Sequence, residues 1–309
     1  MNTATSNQFE LHSPAKINLF LELLGRRPDG FHELVTIISP VSIYDTLRFR
    51  PVSGDGIELK VVTARQRTDE PDQQIPSGPE NLIWKALQLF KEHCGISKGS
   101  TTPGAEVLIT KRIPAAAGLG GASGNAAAAL QAARRMWNPE VDDTTLNELA
   151  ATLGSDVPVF LAGMTAMCTG RGESVRSIPC PAGIPLVIVQ PPVGLSTAGV
   201  YSICKIPARV ESENEILAEI QTGSLAGIAS GMFNRLEEFA STMTDWIKRL
   251  REEFTGIGCI GHQMTGSGSA YFGVFSTEKQ ARIAAARLAN RMPETTVFPC
   301  STLQAISPG

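Results

Sequence analysis

The chain has 309 residues, and no stretch of it approaches the roughly 20 consecutive apolar residues that a bilayer-spanning helix needs. Its opening, "MNTATSNQFELHSPAK", is polar and has no apolar core of the kind a secretory signal carries. A charge surplus is missing too. With 27 basic and 30 acidic residues the formal net charge is −3, and no Lys/Arg run stands out. Neither a nucleic-acid partner nor a membrane surface is therefore expected, and any anionic ligand has to be held by local geometry. The six cysteines (Cys94, Cys168, Cys180, Cys204, Cys259, Cys300) form no CxxC pair, and the four histidines are dispersed. That pattern argues against a zinc site, a disulfide framework or a protein-built metal centre. The expectation is a cytoplasmic protein with reduced thiols.

What is present is an ordinary globular composition, 42% hydrophobic and 18% charged, in a chain long enough for two medium domains. "SPAKINLFLELLG" reads as a strand closed by Gly25, followed by the turn "PDG" and the β-rich "VTIISPVSIYDTLRFRPV". The polar, Pro-containing stretch 64–80 reads as a surface loop. "NLIWKALQLFKEHCG" has helical apolar spacing and ends at Gly95, and "AEVLITKRIP" alternates as a strand up to Pro114. A Gly/Ala-rich segment then runs into "NAAAALQAARRMW", a strong helix former, and "DDTTLNELAATLG" adds a second helix. "SDVPVFLAG" reads as a return to strand. Beyond about Met164 come the strands "TAMCTGRGESVRSI" and "IPLVIVQPPVG", then helical stretches, clearest as one long run over "LEEFASTMTDWIKRLREEF". "GHQMTGSGSAYFGVFS" reads as strand, Gly/Ser loop, strand, before the helix "TEKQARIAAARLANRM" and the strand "TVFPCSTLQ". No internal repeat is visible. The order is that of an α+β protein in two parts, 1–164 and 165–309.

Four stretches carry chemistry or could. In "GLGGASGN" before a helix, bare backbone N–H groups and a helix N-terminus can form an anion nest; the same small residues also suit close helix–sheet packing. No "GK[ST]" follows, so it is not a Walker loop, and no βαβ unit supports a dinucleotide fingerprint. In "SPAKINLFLELLG", alternation puts Lys16, Asn18 and Phe20 on one face and Ala15, Ile17, Leu19 and Leu21 on the other. A Lys and an Asn among apolar neighbours fit either a solvated edge strand or an inward-facing functional pair. Asp156 in "LGSDVPVFL" stands at an element end, where it could act on a ligand or make a local turn hydrogen bond. "MTGSGSA" could be a tight hairpin or a second backbone cradle.

Taken together and in order, "PAKINLFL", "IPAAAGLGGASGNAA" and "MTGSGSA" resemble the three motifs of the GHMP kinases, and the likeness runs from about Ser13 to the final strand. "PDGFHEL" and "LGSDVPVFL" narrow it to the branch whose acceptor carries a cytidine diphosphate moiety and serves non-mevalonate isoprenoid biosynthesis. The resemblance implies a ribosomal-protein-S5-like N-terminal domain with a ferredoxin-like C-terminal domain, and a kinase using ATP with Mg²⁺. It implies Lys16 and Asp156 as the catalytic pair, with Asp156 also touching the acceptor. It implies substrate contacts at Asn18, Phe31, His32, Thr197 and Tyr201, with Phe31 and Tyr201 flanking a pyrimidine that His32 reads. On the nucleotide side it implies Asn81, Leu82, Lys111 and Pro114, and the phosphate loop Gly118, Leu119, Gly120, Gly121, Ala122, Ser123, Gly124 and Asn125.

Three positions depart from the family's usual pattern. Ala122 replaces a glycine, which restricts φ; Gly124 replaces a serine, which removes a hydroxyl; and Phe31 replaces a tyrosine. Two rivals follow: a GHMP kinase of the mevalonate or homoserine type, and a nucleotide-binding protein without catalysis. The Phe31, His32 and Tyr201 set argues against the first, and the retained Lys16 and Asp156 against the second. The oligomeric state is left open.

Overall fold

The computed structural model describes residues 8–64, 75–96 and 103–304. Most of the stretch 64–80 that reads as a surface loop lies outside them.

Two long strands organise the first sheet. β1 (Phe9–Arg26) and β2 (His32–Ser53) pair antiparallel along almost their whole length, joined across the "PDG" turn, where Gly30 has φ +87°. β3 (Ile57–Thr63) forms one edge and runs parallel to β4 (Pro103–Lys111), which pairs antiparallel with the second half of β2. Four helices cover one side: α1 (Leu82–His93), α2 (Gly121–Trp137), α3 (Asp143–Leu153) and α4 (Val157–Ala162). Ala126, Ala127, Ala129, Ala132 and Ala133 are all buried, and their small side chains let α2 lie close against Leu47, Phe49 and Ile109.

"SDVPVFLAG" is therefore a helix and not a strand. Pro158 sits in its first turn, where the missing N–H costs nothing, and Gly163 closes it at φ +72°. A short buried apolar run does not distinguish the two states by pattern alone.

β5 (Ala166–Gly170) returns to β2 and carries β6 (Ser174–Ser177) as an outer strand, so 166–177 extends the first sheet. The second sheet begins with β7 (Pro185–Gln190). Three short helices follow, α5 (Thr197–Ile203), α6 (Asn214–Thr222) and α7 (Leu225–Ser230). β8 (Phe233–Asn234) then lies parallel to β1 at Phe20 and Leu21. The expected long helix is two, α8 (Leu236–Met243) and α9 (Trp246–Thr255), broken where Thr244 is extended and Asp245 opens the next turn. Thr and Asp favour helix starts over helix interiors, which the apolar spacing on either side concealed. β9 (Gly261–Met264), β10 (Tyr271–Val274), α10 (Glu278–Arg291) and β11 (Thr296–Ser301) complete an antiparallel sheet ordered β11-β7-β10-β9.

β7 explains its own unbroken apolar run. Leu186 and Ile188 face a core shared with Ile17, Ile37 and Phe272, while Val187 and Val189 face another shared with Leu250, Phe254 and Leu288. Both faces of the strand are covered, so both must be apolar.

β1 behaves as expected only as far as Asn18. A register shift between Asn18 and Phe20 places Leu19 and Phe20 in the same core, and Leu21 crosses to the side of Lys16 and Asn18. An extra residue in one strand does this, and such bulges re-aim side chains beside functional sites.

Candidate active site

A cleft of about 360 Å³ opens where the β1 motif and the two glycine-bearing stretches meet. They meet by direct hydrogen bonds. The Lys16 amide donates to the Leu119 carbonyl at 3.0 Å, the Asn18 amide donates to Thr265 Oγ1 at 3.1 Å, and the Ala270 amide donates to the Ala117 carbonyl at 3.1 Å. Residues more than a hundred positions apart are thus tied together, two of the three bonds running backbone to backbone.

Lys16 and Asn18 project into this junction and are buried, so the solvated-edge reading of β1 falls away. Lys16 Nζ donates to Asn18 Oδ1 at 2.6 Å and lies 3.7 Å from Asp156 Oδ2. Asn18 Nδ2 in turn donates to Thr36 Oγ1 at 2.8 Å. A buried ammonium is tolerated because both partners are acceptors. Asp156 occupies the N-cap position of α4 but makes no capping hydrogen bond, so its carboxylate is free for the cleft, where its side chain is 38% exposed. Behind the pair, burial and then the charge of Asp156 push the Cys168 thiol up to about 12, so it stays neutral.

Opposite the pair stands the N-terminus of α2. The helix starts at Gly121, four residues before the Ala-rich run that announces it in the sequence, and its N-cap Gly120 has φ +69° and no side-chain cap. The first-turn N–H groups of α2 are not used within the helix and are available to an anion. A Cβ at Gly120 would come within 2.9 Å of Lys16 Cγ, and one at Gly118 (φ +74°) within 2.2 Å of the Thr265 carbonyl. Ala116, at φ +49°, is the non-glycine residue that accepts a left-handed conformation in this turn.

The departures at 122 and 124 have simple local explanations. Ala122 lies in the first turn of α2, where helical backbone suits alanine best. At Gly124 a Cβ would come within 2.5 Å of Ser13 Oγ, so the Ser13 hydroxyl fills the space beside it.

The other residues expected on the nucleotide side lie along or beside the same cleft. Asn81 lines it while capping α1, its Oδ1 accepting from the Ile83 amide at 2.9 Å. Ile83 lines the cleft; Leu82 packs against the first core instead, since successive residues at a helix start point about 100° apart. Lys111, Pro114, Ser123 and Asn125 line it with Ile109. Leu119 also borders the cleft while its side chain is buried in the core below.

At the other end, Thr197 and Tyr201 of α5 line the wall, and Thr197 Oγ1 is 2.9 Å from Ser267 Oγ of the third stretch. His32 stacks obliquely on Tyr201, ring centroids 5.4 Å apart. Burial, and secondarily the charge of Arg26, lower the His32 imidazole pKa, which favours the neutral ring. Burial and then Asp156 raise the Tyr201 phenol, which stays protonated. Phe31 stands outside the residues that line the cleft. It is 53% exposed, and the Arg171 guanidinium sits over its ring at 5.0 Å. Arg171, a cleft residue in the β5–β6 turn, was not signalled by any spacing; only its place in "TGRGE" marks it, between two positive-φ glycines.

Among the described residues no cluster of three His, Cys, Asp or Glu could hold a metal ion, and no helix is long and apolar enough to cross a membrane.

Comparison with known proteins agrees with this geometry. The family description "GHMP kinases N terminal domain" matches residues 81–164, and "GHMP kinases C terminal" matches 216–294. A 4-diphosphocytidyl-2-C-methyl-D-erythritol kinase of Pelotomaculum thermopropionicum is 40% identical over 277 residues, covering 88% of this chain and 91% of its own. The like-named protein of Rhodopirellula baltica is 36% identical, covering 93% of each. A crystal structure of 4-(cytidine 5'-diphospho)-2C-methyl-D-erythritol kinase superposes with a TM-score of 0.78 at 34% identity, over 95% of this chain and 99% of that one. Homoserine kinase from Cytophaga hutchinsonii superposes with a TM-score of 0.74 at 16% identity, over 99% and 98%, a likeness of fold alone. With its motifs converging on one cleft and most of its length matched, the chain belongs to the 4-diphosphocytidyl-2-C-methyl-D-erythritol kinases within the GHMP kinase family, and is an ATP-dependent phosphotransferase.

Proposed function

We propose that this enzyme transfers the γ-phosphoryl group of ATP to the 2-hydroxyl of 4-diphosphocytidyl-2-C-methyl-D-erythritol, in the cytoplasm, as a step of non-mevalonate isoprenoid precursor synthesis. The observation that carries the reading is the Lys16–Asp156 pair, 3.7 Å apart, set between the N-terminus of α2 and the His32–Tyr201 rings. An ATP with its phosphates on the α2 amides and its base toward Asn81, Ile83 and Lys111 presents its γ-phosphoryl to Lys16. An acceptor whose cytosine rests against Tyr201, read by the neutral His32, presents its polyol hydroxyl to Asp156. Asp156 orients that hydroxyl and takes its proton; Lys16 stabilises charge gathering between the hydroxyl and the phosphoryl oxygens. Arg171 offers the acceptor's diphosphate a cation at the rim, with Phe31 beneath it.

Magnesium fits this site. Mg²⁺ is ordinarily held by one or two carboxylates together with substrate phosphates, and the Ser123 hydroxyl and Asp156 carboxylate border the phosphate position. It supplies neutralisation of phosphate charge. In this reading residues 1–164 carry the catalytic pair and the phosphate loop, and 165–309 close the acceptor side.

The test is ADP release from Mg-ATP with 4-diphosphocytidyl-2-C-methyl-D-erythritol, mevalonate and homoserine side by side. Turnover of the cytidylyl compound alone is expected. Faster turnover of either other acceptor would overturn the assignment.

A further inference from the structure

Asp45 lies within β2, is fully buried, and has no part in the chemistry described above. Its two oxygens serve different partners. Oδ1 accepts from the backbone amides of Arg112 at 2.7 Å and Ile113 at 2.9 Å. Oδ2 accepts from Asn125 Nδ2 at 2.9 Å and from Lys111 Nζ. Arg112 and Ile113 stand where the chain leaves β4 for the glycine-rich turn, and Asn125 stands in α2, where that turn has ended. One carboxylate therefore holds both ends of the turn.

Four donors converge on it, one of them the ammonium of a lysine that is itself buried and 3.2 Å from where a Cβ at Gly121 would stand. A cation beside a helix N-terminus is unfavourable without a counter-charge. An amide at position 45 would offer only one acceptor oxygen and would turn an NH₂ group toward donors. The site requires a carboxylate.

We propose that Asp45 is the positioning residue of the nucleotide site, clasping the phosphate turn so that its width matches a polyphosphate. This rests on the reading of that turn as the ATP site. Asp45 touches no reacting atom and acts through Lys111, Asn125 and the two amides.

The test compares Asp45→Asn, the exchange Asp45→Asn with Asn125→Asp, and a Gly118→Val control, by steady-state kinetics and by titration with a non-hydrolysable ATP analogue. Asp45→Asn should raise the KM for ATP at least about tenfold while the KM for the cytidylyl acceptor stays within about twofold. The exchange returns a carboxylate to Lys111 from position 125 and leaves an amide oxygen for the two backbone N–H groups, so most of the ATP KM should recover. A merely structural role would lower the folded fraction and leave both KM values alone, and that result overturns the proposal. Should Asp45→Asn not fold, Asp45→Glu reads the same quantity: it keeps the charge and displaces the turn by one methylene. A folded Asp45→Glu protein with unchanged ATP KM also overturns it. If Gly118→Val leaves analogue binding intact, the turn is not the nucleotide site and both readings fall. If Gly118→Val abolishes binding and Asp45→Asn does not disturb it, the clasp alone falls.

Discussion

Lys16 is held by two acceptors of different kinds, the neutral Asn18 at 2.6 Å and the anionic Asp156 at 3.7 Å. The shorter bond fixes where the ammonium is; the longer leaves Asp156 room to meet a hydroxyl. Lys16→Met should therefore lower kcat by about 10²–10³-fold, with the ATP KM changed far less, as expected for a group whose work is confined to the transition state. Single-turnover phosphoryl transfer and analogue titration separate the two; a Lys16→Met enzyme with near-normal kcat would remove it from the mechanism. His32 gives a pH prediction. Its folded-state pKa lies below 6.5, lowered first by burial and then by Arg26. As pH falls below that value the unfolded chain takes up the proton before the folded one, so the stability tied to the neutral ring is lost on the acid side. The KM for the acceptor should be flat above 6.5 and rise below it, and His32→Gln should flatten the profile. An acid limb unaltered in that variant would mean another group titrates. At this scale the sequence is readable where residues come in strings: Lys16, Asn18 and the glycines announce themselves by company. Asp45 and Arg171 do not, because a single charged residue in a strand or turn has no pattern until folding supplies its neighbours.

Elements were legible where one period held throughout and obscure where it broke. α1, α2 and α10 follow their apolar spacing throughout, and β1 does so as far as Asn18. α4 was hidden because a six-residue helix spans less than two turns, and its residues are buried on every side that faces α2. The bulge at Leu19 was hidden for a different reason: it is set by pairing with β2 and by the parallel contact with β8, neither of which is local. β8 itself has two residues, yet Asn234 within it organises the loop "MTGSGSA". Its Nδ2 donates to the carbonyls of Met264 at 2.8 Å and Gly266 at 2.9 Å, and its Oδ1 accepts from the Leu236 amide at 3.0 Å. Asn234→Ala leaves these buried groups unsatisfied and should cost about 2 kcal/mol of stability, measured by denaturant unfolding. It should also lower kcat/KM, because Gly266 abuts Lys16 Nζ. Wild-type stability in that variant would mean water replaces the amide.

Over the whole molecule, the α+β class and the two-part order could be read from the sequence, but the way the parts interlock could not. β5 and β6 follow Met164 yet belong to the first sheet, and β8 returns to it from residue 233. Ile17, Ile37 and Val41 are covered by Leu186, Ile188 and Phe272 of the second sheet. A fragment ending at Met164 would leave that face bare and the edge of β2 unpaired where β5 should lie. It should aggregate or melt without cooperativity, as judged by light scattering and calorimetry, whereas the full chain unfolds in one transition. A monomeric, cooperatively melting fragment would establish independent domains.

The bond between the Asn18 amide and Thr265 Oγ1 spans 247 positions of chain. During synthesis the β1–β2 hairpin can form as soon as its residues clear the ribosome, and the turn before α2 soon after. Lys16 and Asn18 then wait, beside that turn, for a strand and loop that are made some 247 residues later. A nascent chain that has emerged as far as α4 thus has both halves of the proposed catalytic pair but not the loop that seats Asn18 beside them. A chain terminated before Thr265 should therefore have no assembled centre in which to squander ATP.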